Sequence, residues 1–176
     1  MRIRHESPDD LAHIREVNLA AFRGEVEPDL VERLRDAGSL AISLVAEDGS
    51  RVVGHAAYSP AVVELSLGGS FPAAALGPIA VLPALQKCGI GSQLMERGFT
   101  ECLALGYDLL FLLGHPSYYP RFGFVPAKPH GVRWTRDSSD QPNPAFMVKE
   151  LRPDALADRL DGDTGVFHYA AQFDGV

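Results

Sequence analysis

Apolar residues recur at the helical spacing of three to four positions between residues 90 and 104. One side of this segment carries the apolar set Ile90, Leu94, Met95, Gly98, Phe99, Cys102 and Leu103. Gly106 follows, and glycine is the residue type that most readily ends a helix in a left-handed conformation. We therefore predict an amphipathic helix over residues 90–104 that is entered directly from a glycine-containing loop.

Strand patterns surround this helix. Alternating or continuous apolar runs predict strands at residues 2–5, 40–47, 51–59, 61–67, 76–82 and 109–113. Pro60 is expected to separate the third of these strands from the fourth. Ser7 as N-cap and Pro8 at the first helical position predict a helix that follows the first strand, and a second helix is predicted over residues 28–37. Because the chain runs strand, helix, strand from residue 76 to 113, those two strands are expected to be parallel.

The pattern is weaker in the C-terminal part of the chain. Strands are predicted at 131–134, 146–151 and 166–171, with a short helix at 153–160 and a turn-rich loop at 137–144. We expect residues 129–176 to contribute strands that complete one sheet. The whole chain, residues 1–176, is then a single domain of ordinary size.

The loop before the helix, residues 86–91, has the sequence Gln-Lys-Cys-Gly-Ile-Gly. A helix N-terminus offers unpaired N–H groups and positive dipole charge, so an anion is expected over this loop. A phosphate loop of the Walker type needs a Gly-Lys pair, which the chain lacks. A dinucleotide-binding loop needs a third glycine or alanine three residues after Gly91, where Leu94 stands.

Gln86-x-x-Gly89-x-Gly91 resembles the loop of the GCN5-related N-acetyltransferase (GNAT) superfamily. Residues 79–83 look like the fourth strand of that superfamily, and residues 119–124 look like its Tyr-x-x-x-Gly-Phe segment. The resemblance covers residues 1–128, and the doubled Tyr118-Tyr119 resembles a predicted N-acetyltransferase subgroup within the superfamily. It implies an α/β (α+β) fold: a mixed, mostly antiparallel twisted sheet of about six or seven strands, splayed at a central parallel pair, with helices on both faces.

The resemblance also implies a site for acetyl-CoA. The backbone at Ile79, Ala80 and Val81 would pair with the pantetheine arm of the co-substrate, where Pro78 marks an edge or a bulge of the strand. The pyrophosphate would lie on the loop formed by Gln86, Lys87, Cys88, Gly89, Ile90, Gly91 and Ser92. Gln86 is expected to support the loop, while Lys87 either adds positive charge or is simply solvated.

Tyr119 matches the tyrosine that gives a proton to the departing thiolate, and Tyr118 is its competitor. The general base stays open among Glu25, Glu27, Glu64 and His115. Glu25 and Glu27 either contact the acceptor amine or belong to a solvated acidic loop. The chain departs from the superfamily at residues 114–117, Gly-His-Pro-Ser, where many relatives have an asparagine and a longer helix; this departure makes His115 a further catalytic candidate.

Composition narrows the possible partners. The formal net charge of −7 disfavours a general nucleic-acid role, and no apolar run is long enough for a membrane span. The two cysteines fall on one helical segment about 20 Å apart, too far for a disulfide, which is typical of a reducing compartment. We predict a cytoplasmic protein without a metal site, since the six histidines show no paired spacing. A homodimer formed through the C-terminal third stays open.

Two interpretations follow for function. In the first, the protein is an N-acetyltransferase that passes the acetyl group of acetyl-CoA directly to a primary amine. In the second, it is a non-catalytic module that binds or senses acyl-CoA. A longer acyl donor is a variant of the first, and the acceptor, a small molecule or a protein, is left open.

Overall fold

The computed structural model describes residues 1–138 and 141–175. The helices are α1 (Leu11–Phe22), α2 (Val26–Asp36), α3 (Ile90–Ala104) and α4 (Ala155–Leu160). The strands are β1 (Arg2–His5), β2 (Ile42–Asp48), β3 (Arg51–Leu65), β4 (Ser70–Val81), β5 (Leu109–Leu113), β6 (Val125–Pro126), β7 (Val132–Trp134), β8 (Phe146–Glu150) and β9 (Gly165–His168). No helix in this part of the chain has both the length and the apolar character that a membrane span requires.

The chain forms two compact units, and strands β3 and β4 run from one into the other. The first unit contains residues 1–59, 76–101 and the described residues from 171 onward. Within it β1 pairs antiparallel with β2, and β2 pairs antiparallel with β3. Ile14, Val17, Val31, Val45 and Ala80 belong to its apolar core, which joins helices α1 and α2 to the strands.

The second unit contains residues 60–75 and 102–170. Here β4 pairs parallel with β5 through Ala74–Leu110 and Ala75–Phe111, and β5 pairs antiparallel with β8 along its whole length. β8 also pairs with β6, β3 pairs with β9, and β9 pairs with β7. Its core is built around the rings of Phe111, Phe146 and Phe167, with centroids 4.5 to 5.6 Å apart.

The predicted fold class is confirmed. Helix α3 and strand β5 have the predicted bounds, and the expected parallel pair is β4 with β5. The strand count was too low, since the described residues form nine strands, and β7 with β9 is a second parallel pair. The loop predicted at 137–144 includes residues 139 and 140, which lie outside the described residues.

Several predicted boundaries were wrong: β4 begins at Ser70 instead of residue 76, and β9 ends at His168 instead of residue 171. Pro60 does not divide β3, because it lies between the stretch that pairs with β2, ending at Tyr58, and the stretch that pairs with β9, beginning at Val62. Proline has no backbone N–H, but at this position neither the β2–β3 ladder nor the β3–β9 ladder loses a hydrogen bond. Helix α2 begins at Val26, two residues before the predicted start. Its first turn holds Glu27 and Asp29, whose negative charges interact favourably with the helix dipole.

A buried polar chain crosses the first unit. His55 on β3 is fully buried, with Nε2 3.0 Å from Ser43 Oγ and Nδ1 3.2 Å from Asn18 Nδ2. The Ser43 hydroxyl donates to the Glu6 carboxylate, which also accepts from Arg35 at 2.7 and 2.8 Å. Because a carboxylate only accepts, Ser43 Oγ must accept from His55 Nε2–H, and Nδ1 is left to accept from Asn18. His55 is therefore held neutral with its proton on Nε2.

This arrangement predicts acid sensitivity of the fold. Burial lowers the pKa of His55 to about 4, although Glu6 opposes the shift. Since the unfolded chain takes up a proton near pH 6.5 and the folded chain does not, the free energy of unfolding should fall as the pH drops from about 6.5 towards 4, by up to about 3 kcal/mol. Urea titrations across this range measure the slope.

The variant His55→Gln should flatten that slope, whereas His13→Gln, at an exposed position of α1, should keep it. Equal slopes in the wild type and His55→Gln would show that the histidine does not cause the effect.

Candidate active site

The glycine loop lies in the first unit between a single 3₁₀ turn, Pro83–Leu85, and helix α3. Lys87 and Gly89 both have left-handed backbone angles, with φ of 65° and 83°. The first helical hydrogen bond runs from the Gln93 N–H to the Gly89 carbonyl at 3.1 Å. Helix geometry therefore gives the N–H groups of residues 90–92 no acceptor within the helix, and this end of α3 is suited to an anion.

The loop is joined to the end of β4 by a side chain. Gln86 Nε2 donates to the Val81 carbonyl at 3.1 Å, so this residue holds the loop against the strand. Ile79 and Val81 are half-buried on one side of β4, while Ala80 packs into the core. The Gly77–Pro78 peptide bond that precedes them is cis.

Lys87 and Cys88 are exposed, and the Cys88 thiol lies 3.6 Å from the Gln86 carbonyl. Both cysteines are free thiols. Sequence reasoning placed residues 79–81 and 86–92 in one site, and within the first unit the structure connects them through Gln86.

The tyrosine segment lies in the second unit, directly after β5. The N–H groups of Tyr118 and Tyr119 donate to the His115 carbonyl at 2.9 and 3.4 Å, and a 3₁₀ turn follows over Tyr119–Phe122. Gly123 ends the turn with φ of 85°. Lys149 Nζ donates to the Phe122 carbonyl at 2.7 Å and so stabilises the end of the turn.

The two tyrosines have different surroundings. The Arg121 guanidinium stacks on the ring of Tyr118, 4.0 Å from its centroid. Tyr119 packs edge-on against Phe124 at 5.8 Å, and burial, with a smaller contribution from Tyr118, raises its pKa to about 12. At neutral pH Tyr119 is therefore protonated, the form that can donate a proton.

Gly114 makes room for the ring of Tyr119. Sequence reasoning did not identify this role of Gly114. A Cβ atom at position 114 would lie 2.7 Å from Tyr119 Cδ2 and deep within the contact distance of Cε2. The available signal was the glycine itself, which is the first residue after β5. The absence of a side chain at position 114 leaves the space that the phenol ring occupies.

The candidate bases are distributed over both units. In the first, Glu25 pairs with Arg15, which also bonds Asp29 and Glu32, and Glu27 lies in the first turn of α2. In the second, Glu64 on β3 lies 3.2 Å from His168 Nε2, and the side chain of His115 is exposed. Among the described residues no group of three or more histidine, cysteine or acidic side chains is placed to hold a metal ion.

Comparison with known proteins identifies the family. Residues 2–127 match the acetyltransferase (GNAT) domain family. The chain belongs to the GNAT family. The uncharacterized N-acetyltransferase YhbS of Escherichia coli strain K12 is 33% identical over 174 residues, which is 98% of each chain. The resemblance based on the loop and the tyrosine segment is thereby confirmed, and the protein is an acetyltransferase by family.

Solved GNAT structures agree with the fold. The structure of Escherichia coli YhbS in complex with CoA has a TM-score of 0.85 at 33% identity and covers 98% of this chain and 91% of that chain. A GNAT acetyltransferase from Brucella melitensis in complex with acetyl-CoA has a TM-score of 0.74 at 35% identity and covers 98% and 97%.

The packing of Gly114 against Tyr119 gives a direct prediction. Gly114→Ala should push the phenol ring out of place and lower acetyl-transfer turnover by about 10²-fold, because a displacement of about 1 Å can have that effect. Steady-state kinetics and thermal melting are measured together. The control is Gly24→Ala, whose new methyl group would meet nothing within 4 Å. Full activity in Gly114→Ala would contradict the assigned position of Tyr119.

Proposed function

We propose that this protein transfers the acetyl group of acetyl-CoA directly to a primary amine. The observation that carries the proposal is the glycine loop at the start of α3, whose backbone offers N–H groups to an anion. Two relatives of 33% and 35% identity have been solved with CoA and acetyl-CoA, which supports the same ligand for this chain.

On the coenzyme side, the pyrophosphate is proposed to lie on the loop from Gln86 to Ser92. Gly89 permits the left-handed turn, the N–H groups of Ile90, Gly91 and Ser92 meet the phosphates, and Gln86 supports the loop from Val81. Lys87 and Cys88 are exposed beside it, and Lys87 adds a positive charge. The pantetheine amides are proposed to pair with the backbone at Ile79, Ala80 and Val81.

The chemical step requires one proton donor and one proton acceptor. A neutral amine attacks the thioester carbonyl, the C–N bond forms, the C–S bond breaks, and the thiolate takes a proton from Tyr119. A backbone N–H near residues 79–81 is proposed to stabilise the oxyanion. Tyr119 is favoured over Tyr118 because the ring of Tyr118 is covered by Arg121 and because Tyr119 matches the family's tyrosine by its distance to Gly123-Phe124.

On the acceptor side, Glu25 and Glu27 are proposed to attract the amine. Arg15 is surrounded by the carboxylates of Glu25, Asp29 and Glu32, so the cluster keeps an excess of negative charge. His115 and Glu64 are further candidates for the base. A cytoplasmic location is retained as a prediction, since free thiols suit a reducing compartment.

A second function has one observation in its favour. Glu25 and Glu64, two candidate bases, are each engaged with a basic side chain, Arg15 and His168 respectively. A protein without a free base would bind acyl-CoA without efficient transfer. Turnover with an amine panel separates the two functions, because a non-catalytic module would bind acetyl-CoA and release no CoA.

The proposed phosphate-binding role of the glycine loop is tested by measuring acetyl-CoA binding. Gly91→Val places a branched side chain at the helix N-terminus and should abolish acetyl-CoA binding in isothermal calorimetry. Gln93→Val, at an exposed position of the same helix, should bind as the wild type does. Micromolar binding retained by a folded Gly91→Val protein would rule out the proposed phosphate cradle.

The role of Tyr119 as the proton donor is tested by measuring turnover. Tyr119→Phe should leave acetyl-CoA affinity nearly unchanged and lower turnover by roughly 10²- to 10⁴-fold, the range of positioned acid–base catalysis. The panel contains polyamines, free amino acids, aminoglycosides and peptides with free amino groups, and CoA release is followed. Tyr118→Phe is the matched control and should change turnover little; the reverse order of effects would assign the role to Tyr118.

A further inference from the structure

Arg121 lies over two aromatic rings of the tyrosine segment. Its guanidinium carbon is 4.0 Å from the centroid of the Tyr118 ring and 4.8 Å from the centroid of the Phe122 ring. These two rings are tilted by 51°, with their centroids 5.5 Å apart. The side chain of Arg121 is nevertheless exposed. The rings therefore hold a positive charge in place while it stays accessible from solvent.

The charge of Arg121 has no acidic partner. In the part of the chain that the structure describes, no carboxylate pairs with it, whereas Arg152 and Arg159 of the same unit both pair with Asp108. A guanidinium is always charged at physiological pH, and its planar fork of five N–H groups matches the oxygens of a carboxylate or a phosphate. Arg121 can therefore receive an anion without first giving up an internal ion pair.

The aromatic support also lowers the entropic cost of binding. A long side chain that is free in solvent loses rotamer freedom when it binds a ligand, and Arg121 has already lost part of that freedom on its rings. Arg133 on β7 is the contrast, because it is exposed in the same unit and has neither a ring contact nor a carboxylate partner within the described ranges. Stacking thus distinguishes Arg121 from an ordinary solvated charge.

The charge of Arg121 lies close to the proposed proton donor. The rings of Tyr118 and Tyr119 meet edge-on with their centroids 5.0 Å apart. Laid end to end, this distance and the 4.0 Å from Arg121 to the Tyr118 ring put the guanidinium at most about 9 Å from the Tyr119 ring. An amino acid, which carries a carboxylate and an amine a few ångströms apart, is long enough to bind Arg121 at one end and present its amine beside Tyr119.

We propose that Arg121 binds the carboxylate of the acceptor, and that the acceptors of this protein are amino acids. The charge-assisted hydrogen bonds of that contact are absent for an amine that lacks a carboxylate. Arg121 is thus a specificity-determining residue and takes no part in proton transfer. This inference rests on the proposed function and names its substrate class.

The contact is tested first without turnover. In protein labelled with ¹⁵N-arginine, the Nε–H resonance of Arg121, identified by its absence from Arg121→Gln, is followed in the presence of CoA. Free amino acids and their amides are titrated in turn. At least one free amino acid should shift the resonance while its amide, which lacks the carboxylate, should not. A shift with both forms, or with neither form of any amino acid, overturns the proposal.

Specificity is tested by CoA release with the same acid and amide pairs. For the best free amino acid, Arg121→Gln should raise KM and lower kcat/KM about 10- to 100-fold, the range of hydrogen bonds to charged groups, while kcat/KM for the amide changes by less than about twofold. Arg133→Gln removes one positive charge from the same unit and should change neither value. Equal losses with the acid and the amide would indicate a structural role and overturn the proposal.

The outcomes separate this inference from the proposed function. If no amine of the panel releases CoA, the proposed function fails and this inference fails with it. If amines without a carboxylate are better acceptors than every free amino acid, or if Arg121→Gln acetylates free amino acids as the wild type does, this inference alone fails. A loss of acetyl-CoA affinity in Arg121→Gln that disappears with 3′-dephospho-acetyl-CoA would assign Arg121 to a coenzyme phosphate and would also overturn the proposal.

Discussion

The pairing of β5 with β8 is the constraint on which the proposed catalytic end of the second unit depends. That ladder runs the full length of β5 and continues to Gly114 and Ala145, so it fixes which backbone groups face each edge. It places Gly114 where the ring of Tyr119 packs.

The site proposed in the first unit is of a different kind, since it is made mainly of backbone. The proposed preference of this site for an anion depends on the direction of α3 and on the left-handed turn at Gly89, and the Gln86 side chain holds the turn against β4. Such a site tolerates variation of the exposed side chains at Lys87 and Cys88. The glycines of this loop therefore indicate the proposed anion site better than its charged residue, Lys87, does.

Much of this arrangement could be predicted from the sequence because it is local. The period of 3.6 residues and Gly106 gave the bounds of α3, and five apolar residues gave those of β5. The proposed coenzyme loop was predicted from three residues with fixed spacing, Gln86, Gly89 and Gly91. The prediction that Pro60 separates two strands was wrong, because the effect of a proline depends on which partner strand lies beside it. That is a property of the tertiary structure.

The parts that could not be predicted depend on contacts that no short sequence motif encodes. The importance of Gly114 is the absence of a side chain beneath a ring five residues later. Similarly, His55 appeared to be one of six scattered histidines until the structure connected it to Ser43, Glu6 and Arg35.

The most direct test of the central claim is a crystal structure of the protein with acetyl-CoA. The account predicts the pyrophosphate within hydrogen-bonding distance of the N–H groups of residues 90–92, and the Tyr119 hydroxyl as the phenol nearest the sulfur. A pyrophosphate bound away from the glycine loop, or a sulfur that lies beside Tyr118, would contradict it.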